Sequence, residues 1–299
     1  MEDNLFSLSE SLHAKTYKHS TYTPFYVQDP KLRHIHKACV RDRVVHQAVF
    51  RVLYPIFDKS FIFDSYSCRI NKGAHKAVNR LKMFAKKLSH NNRRDIFALK
   101  CDIKKFFDSI DQHSLISFIR KKIDDKNTLW LVELIIGSFE KNREKGLPLG
   151  NVTSQLFANV YLNELDQFIK HKLKAKHYLR YCDDFIILGE NKNYLRSIIS
   201  KIKEFLAENL SLELHEHKIE IRKYSHGIDF LGYVVLPHYR VLRTKTKRRI
   251  LRKIANRKRE FDLGVLSGES LTQSVNSYFG VLKHCQGYKI RRRIEEITN

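Results

Sequence analysis

Two adjacent aspartates, Asp183 and Asp184, lie in the run His177-Tyr178-Leu179-Arg180-Tyr181-Cys182-Asp183-Asp184-Phe185-Ile186-Ile187-Leu188. Apolar and aromatic residues flank them on both sides, which predicts strand, tight turn, strand. Side by side at a hairpin tip, two carboxylates repel. That costs free energy unless a cation sits between them or water screens both. A plain polar turn is the alternative, since Asp is a common turn residue. A third carboxylate shifts the balance. Asp102 closes a β-prone run, Ile96 to Cys101, and a carboxylate at a strand end before a turn is well placed to hold a metal ion. Three carboxylates from two neighbouring strands can hold two divalent ions, which activate an attacking hydroxyl and stabilise a leaving pyrophosphate.

The rest of the chain has to position those groups. Its 299 residues suggest one multi-lobed domain or two domains. Lys and Arg number 56 against 32 Asp and Glu, a formal charge of +24, and 42% of residues are apolar. Such a charge opposes compaction unless an anionic partner offsets it, and nucleic acid is the default candidate. A membrane surface is disfavoured, because no long apolar run or lipidation signal accompanies the charge. Cys39, Cys68, Cys101, Cys182 and Cys285 form no CxxC pair, which argues against zinc ribbons and for reduced thiols in a cytoplasmic protein. The first residues are acidic and lack an apolar core, so no signal peptide is expected. The x-spaced pairs His34/His36 and His215/His217 read as exposed or phosphate-facing imidazoles rather than a metal site.

Residues 1–23 are polar and read as a loosely docked lead-in. Two strands are expected around Asp29-Pro30, with Lys31, Arg33, Arg41 and Arg43 on or beside the hairpin. Such a flap could close over a triphosphate, or be a solvated basic hairpin. A helix starts near Asp42 and ends near Pro55. Residues 65–77 form a loop feeding a helix to about Leu88, and Arg69 and Lys72 could hold template or nucleotide or be simple surface charge. Ser109 or Asp111 can cap the helix after Asp102, and helices fill roughly 111–123 and 127–139. Gly146 to Gln155 turns into a long amphipathic helix, about 152–173, whose stripe of Leu156, Val160, Leu165, Phe168 and Leu173 is core. At its start Gly150 lets a backbone approach a ligand, and Ser154 and Gln155 offer donors at a helix N-terminus. A helix over about 192–209, a strand over 218–222 and another over 228–235 follow, the last with a hairpin partner near Val241-Leu242. From Arg240 to Arg259 there are eleven Lys or Arg and no acid, which favours phosphate contact over a solvated face. A last helix covers about 268–284.

Taken in order, these pieces resemble the reverse transcriptases along nearly the whole chain. DPKLRHIHKACVRDRVVHQAV and SYSCRINKGAHKAV are similar to the fingers motifs, and KCDIKKFFDSI to the palm motif with the first catalytic Asp. GLPLGNVTSQLFANVYLNELD resembles the motif beneath the incoming nucleotide, and YCDD is a version of the YxDD box. LHEHKIEI carries the motif lysine, and GIDFLGYVV resembles the primer grip. No single motif is decisive, but seven in order make chance implausible.

The resemblance implies an α+β right-hand polymerase: a lead-in over 1–22, fingers over 23–95, a palm with a small antiparallel sheet over 96–236 (finger helices at about 111–145), and a short helical thumb over 237–299. It implies RNA-directed DNA synthesis by two Mg²⁺ ions, with Mn²⁺ able to substitute. Asp102, Asp183 and Asp184, with the backbone of Ile103, would hold the metals, and Lys218 would lie near the leaving pyrophosphate. Lys31, Arg33 and Arg69 would meet the triphosphate. Ile103, Phe106, Leu149, Gly150, Ser154 and Gln155 would line the nucleotide pocket, and Phe107 would be the steric gate against a ribose 2′-hydroxyl. Tyr181 and Cys182 would sit under the primer end, and Phe230, Leu231, Gly232 and Tyr233 would grip the primer. Partners would be an RNA template, a DNA or RNA primer and dNTPs. LGNVTSQ, with Ser-Gln where most bacterial relatives have Ser-Pro, and the tail SYFGVLKHCQGYKIRRRI resemble the diversity-generating retroelement enzymes. That subfamily works with a small basic accessory protein. Antiphage-defence ("unknown group") or retron-like enzymes are the alternative. A non-catalytic RNA-binding scaffold fits the intact carboxylates less well.

Overall fold

The computed structural model describes residues 2–28 and 31–298. A helix α1 (Glu2–His13) leads to a hairpin of β1 (Thr23–Gln28) and β2 (Leu32–Lys37), registered from Thr23 opposite Lys37 to Gln28 opposite Leu32. The expected turn at Asp29-Pro30 falls outside the described residues. There follow α2 (Val40–Asp58), α3 (Ala74–Leu88), β3 (Phe97–Asp102), the one-turn α4 (Phe106–Ser109), α5 (Gln112–Arg120), α6 (Lys126–Gly137) and α7 (Val152–Gln167). The aspartate hairpin is β4 (Tyr178–Tyr181) and β5 (Asp184–Gly189), followed by α8 (Lys192–Leu210) and β6 (Glu220–Lys223). The chain closes with β7 (Ile228–Phe230), β8 (Tyr233–Val235), β9 (Arg240–Leu242), α9 (Thr244–Asp262), α10 (Gly268–Leu282) and α11 (Tyr288–Thr298). A four-stranded sheet has the order β4-β5-β3-β6, and β7-β8-β9 form a separate three-stranded meander.

Local chemistry explains the boundaries. Asp111 and Asp125 accept the backbone N–H groups of Ser114 and Thr128, and Ser267 that of Ser270, so three helices start on side-chain caps. In α3 the buried residues Ala77, Val78, Leu81, Phe84 and Ala85 recur at helical spacing.

By compactness the chain divides into two units. The first comprises 1–72, 101–185 and 197–219. At its centre α7, with eleven buried residues, packs against α2 and α5. The second comprises 73–100, 186–196 and 220–299, in which α3 packs on β8 and α9, α10 and α11 pack on one another. Among the described residues no helix is long and apolar enough to cross a membrane.

Five local expectations need correction. The lead-in is docked, not loose. Leu8 and Tyr17 are buried, and the Tyr17 hydroxyl donates to Asp42 at 2.8 Å. The second helix runs through Pro55 to Asp58, because Leu53, Tyr54 and Phe57 are buried on its inner side and hold the last turn in place. The long helix after Gly150 is α-helical only to Gln167 and widens into a π-turn over Phe168–Lys172. Lys218 is not on a strand but ends a short 3₁₀ turn, Glu216–Lys218. Residues 228–235 are a hairpin rather than one strand. Leu231 and Gly232 have φ of 48° and 87°, the left-handed pair that a two-residue hairpin turn requires.

Candidate active site

Every residue expected to bind metal or nucleotide lies in the first unit. Three backbone segments meet there. The Ile103 N–H donates to the Asp183 carbonyl at 3.2 Å, and the His215 N–H donates to the Asp102 carbonyl at 2.8 Å. An antiparallel bridge joins Ile103 to Leu214. The end of β3 is thereby held between the aspartate turn on one side and residues 213–215 on the other. Cys182, with φ of 55°, makes the tight turn that puts both aspartates at the tip.

The side chains follow from that backbone. Lys218 Nζ donates to Asp102 Oδ1 at 2.6 Å, and beside it Lys104 pairs with Glu213 at 2.9 Å. Burial, and next the Asp102 charge, push the Asp183 carboxyl above its ordinary range. Burial pushes the Cys101 thiol to about 12, with the charges of Asp184 and Asp102 adding to it. The Cys182 thiol is driven well up by burial and then by Asp183. Neither cysteine is a nucleophile at neutral pH.

Among the described residues no three His, Cys, Asp or Glu side chains are gathered as a metal cluster. Asp102 is bonded to the Lys218 ammonium instead. The donor set nevertheless fits a divalent cation. A hard cation prefers carboxylate oxygens, and it would relieve both the desolvation and the mutual repulsion that weaken Asp183 as an acid.

The residues expected on the nucleotide side lie on the hairpin and the Gly150 turn. The His36 N–H donates to the Leu149 carbonyl at 2.9 Å, and Asn151 Nδ2 donates to the His36 carbonyl at 3.1 Å. A Cβ on Gly150 would lie 2.8 Å from Ile35 Cγ2, and its φ is +113°, so this close approach needs glycine. Ser154 is buried and Gln155 exposed on the first turn of α7, while Lys31 and Arg33 are exposed on the hairpin. Phe107 is half-buried four residues after Ile103, its carbonyl taken by the Leu147 N–H at 2.8 Å, and its ring meets that of the buried Phe106 edge-on at 5.3 Å.

Arg69 is a correction. Its side chain is 6% exposed and pairs with Asp58 at 2.6 Å, and it also donates to the carbonyls of Ile62 and Ser65. Its guanidinium is spent on holding the 58–69 loop, so it does not reach out to a triphosphate. Tyr181 and Cys182 lie at the end of β4 in the first unit. Phe230, Leu231, Gly232 and Tyr233 make the β7–β8 turn of the second, where Lys100 Nζ donates to the Asp229 carbonyl at 3.0 Å.

Residue spacing did not single out Arg180. It is fully buried and forks onto Asp166, Nε to Oδ1 at 2.8 Å and Nη2 to Oδ2 at 2.6 Å. It also donates to Asn159, to Ser65 and to the Cys182 carbonyl at 3.1 Å. Tyr178 donates to Asp166 at 2.6 Å. The aspartate turn therefore hangs from a buried ion pair with α7. An arginine inside an apolar strand, with an aspartate on the inner side of the preceding helix, was the available signal.

A family model described as "Reverse transcriptase (RNA-dependent DNA polymerase)" matches residues 26–235. Protein YkfC of Escherichia coli (strain K12) is 25% identical over 242 residues, covering 68% of this chain and 63% of its own. The group II intron-encoded protein LtrA of Lactococcus lactis subsp. cremoris is 25% identical over 319 residues, covering 83% of this chain and 51% of its own. This chain thus spans roughly half to two thirds of the length of these two relatives. Among solved structures, apo telomerase from Candida tropicalis, truncated from its C-terminal domain, superposes with a TM-score of 0.57 at 17% identity, over 80% of this chain and 60% of that one. The likeness shows the fold, that of the α+β right-hand polymerases.

Proposed function

The chain belongs to the reverse transcriptase (RNA-dependent DNA polymerase) family, and from that premise we propose that it synthesises DNA on an RNA template. The observation that carries this is the convergence of the ends of β3 and of the aspartate turn, locked by the Ile103–Asp183 backbone bond. Residues 23–95 act as fingers, 96–236 as palm and 237–299 as thumb. Asp102, Asp183 and Asp184, with the Ile103 carbonyl, would hold the divalent ions that reverse transcriptases use, Mg²⁺ in this reading. When bound, such ions lower the pKa of an attacking 3′-hydroxyl and neutralise charge on the leaving pyrophosphate. Lys218 orients Asp102 through their 2.6 Å bond, and its ammonium stands ready for the phosphate oxygens of the leaving group. Lys31 and Arg33 meet the triphosphate. Leu149, Gly150, Ser154 and Gln155 line the base and sugar side beneath it.

The direct test is template-dependent primer extension with purified protein, RNA template and dNTPs. Incorporation that needs both template and divalent metal supports the reading; RNA binding without extension favours a scaffold. Phe107 supplies a second test. Its ring crowds a 2′-hydroxyl, so Phe107→Ala is expected to lower discrimination against NTPs by roughly tenfold to a hundredfold. This is read as the ratio of kcat/KM for dATP and ATP. Unchanged discrimination would move the gate elsewhere.

The chain's charge of +24 suits a polyanionic nucleic-acid partner. In α9, Lys245, Lys247, Arg248, Arg249, Arg252 and Lys253 fall within ten residues. If six or more phosphates are contacted, affinity for an RNA–DNA duplex falls by about 10³ between 50 and 200 mM salt. Fluorescence anisotropy over that range checks it, and a flat profile would contradict the phosphate-binding role.

The finer reading is a diversity-generating retroelement enzyme copying a template-repeat RNA with a small basic accessory protein. Ser154-Gln155 after Gly150, and the tail from Ser277 to Ile294, support it. Antiphage defence or a retron-like role is the second reading, since related enzymes share several of the motifs. Adjacent genes separate the two: an accessory gene with a template-repeat/variable-repeat pair for the first, an isolated defence locus for the second.

A further inference from the structure

The segment that precedes the fingers hairpin makes the strongest unassigned cluster in the first unit. His19 Nδ1 lies 2.6 Å from the Ser20 carbonyl, and His19 Nε2 lies 2.9 Å from His46 Nε2. His46 Nδ1 lies 2.5 Å from Thr153 Oγ1. Thr153 immediately precedes Ser154 and Gln155 on the first turn of α7.

The proton positions follow from which atoms can donate. A carbonyl only accepts, so His19 Nδ1 carries a hydrogen. If His19 is neutral, its Nε2 accepts, His46 donates from Nε2, and the Thr153 hydroxyl donates to His46 Nδ1. If His19 carries a proton, balanced by Asp42 at 3.7 Å, each of these two bonds reverses and Thr153 accepts. In both states Thr153 is held; only a proton on both rings would break the chain. Burial, then the neighbouring His19, push His46 down to about 4, so it stays neutral at working pH. Asp42 is fixed in turn. Burial would raise its pKa, but hydrogen bonds from Cys39, the Ser20 N–H and Tyr17 hold it at about 2.

We propose that His19 and His46 are positioning residues for the nucleotide pocket: through Thr153 they fix the turn of α7 that presents Ser154 and Gln155. The hairpin pins the other side of this turn through the His36–Leu149 and Asn151–His36 bonds. The lead-in is therefore part of the pocket's frame. The two histidines touch no substrate; they set where the groups that do so stand. This rests on the reading of 149–155 as nucleotide-binding.

The test compares Thr153→Val, close in shape but without the hydroxyl, with Thr153→Ser, which keeps it, in steady-state dNTP incorporation by the full chain. For Thr153→Val, KM for dNTP is expected to rise about fivefold to tenfold with kcat within twofold, and the melting temperature to fall by only a few degrees as buried His46 Nδ1 loses its partner. Thr153→Ser is expected to restore KM to within about twofold. A wild-type KM in Thr153→Val overturns the proposal while the polymerase reading stands. So does a lower melting temperature with reduced kcat and unchanged KM, which marks a merely structural contact. If the wild-type chain incorporates no dNTP at all, the polymerase reading falls first and this inference falls with it.

Discussion

Asp183→Asn is expected to abolish dNTP incorporation, by at least about 10³-fold, in a protein that folds as well as the wild type. The two halves of that expectation have different causes. The loss follows from removing a formal charge where, in this reading, a divalent ion would be held to stabilise the negative charge on the transferring phosphoryl oxygens; 10³-fold corresponds to about 4 kcal/mol of barrier. The retained folding follows from the electrostatics of the free protein. Asp183 is disfavoured as an anion by burial and by the Asp102 charge, so a neutral isostere removes a repulsion instead of a stabilising bond. Asp102→Asn is expected to be as inactive for a second reason, since it also leaves the Lys218 ammonium without its 2.6 Å partner. Primer extension alongside thermal melting checks both. Activity within tenfold of wild type in Asp183→Asn would remove that carboxylate from the chemistry.

The largest stability effect is expected at the buried pair beneath the same turn. Arg180 and Asp166 are both about fully buried. Removing one partner leaves an uncompensated charge in a low-dielectric interior, which costs about 3–5 kcal/mol. Asp166→Ala should therefore lower the melting temperature by on the order of 10 °C, and Arg180→Met should do nearly the same. The double change Arg180→Met with Asp166→Leu removes both charges and should recover much of the stability. It should not recover activity, because the Cys182 carbonyl loses its 3.1 Å guanidinium donor and the aspartate tip is no longer held. Chemical denaturation of the three variants, with extension rates, separates the two roles. A double variant both stable and fully active would show that Arg180 serves stability alone.

What the sequence made legible was local. The alternation around Asp183-Asp184 and the β-run ending at Asp102 follow from side-chain period and lie where expected; the glycine at 150 does take a conformation only glycine takes easily, but the group it lets approach is Ile35 of the hairpin. Interactions that close over long separations were not legible. Asp42 draws in Tyr17 and Ser20 from more than twenty residues away, which is why a polar lead-in that reads as loose is docked. Arg69 has the composition of a phosphate ligand, yet Asp58 eleven residues earlier takes it. Leu231 hides a turn, because a leucine at positive φ looks like any other residue in a β-prone run. Lys218 reads as a strand residue because Ile219 and Ile221 alternate, but backbone bonds from Lys218 and Ile219 to His215 and Glu216 tighten the chain first.

The most direct measurement is anomalous diffraction from the full chain crystallised with Mn²⁺, an RNA template, a primer lacking its 3′-hydroxyl and the matching dNTP. Manganese peaks in contact with oxygens of Asp102 and of Asp183 or Asp184, with Lys218 Nζ moved off Asp102 toward the triphosphate, are the expected result. Manganese bound only elsewhere, such as at His215 and His217, with Lys218 still closed on Asp102, would contradict it.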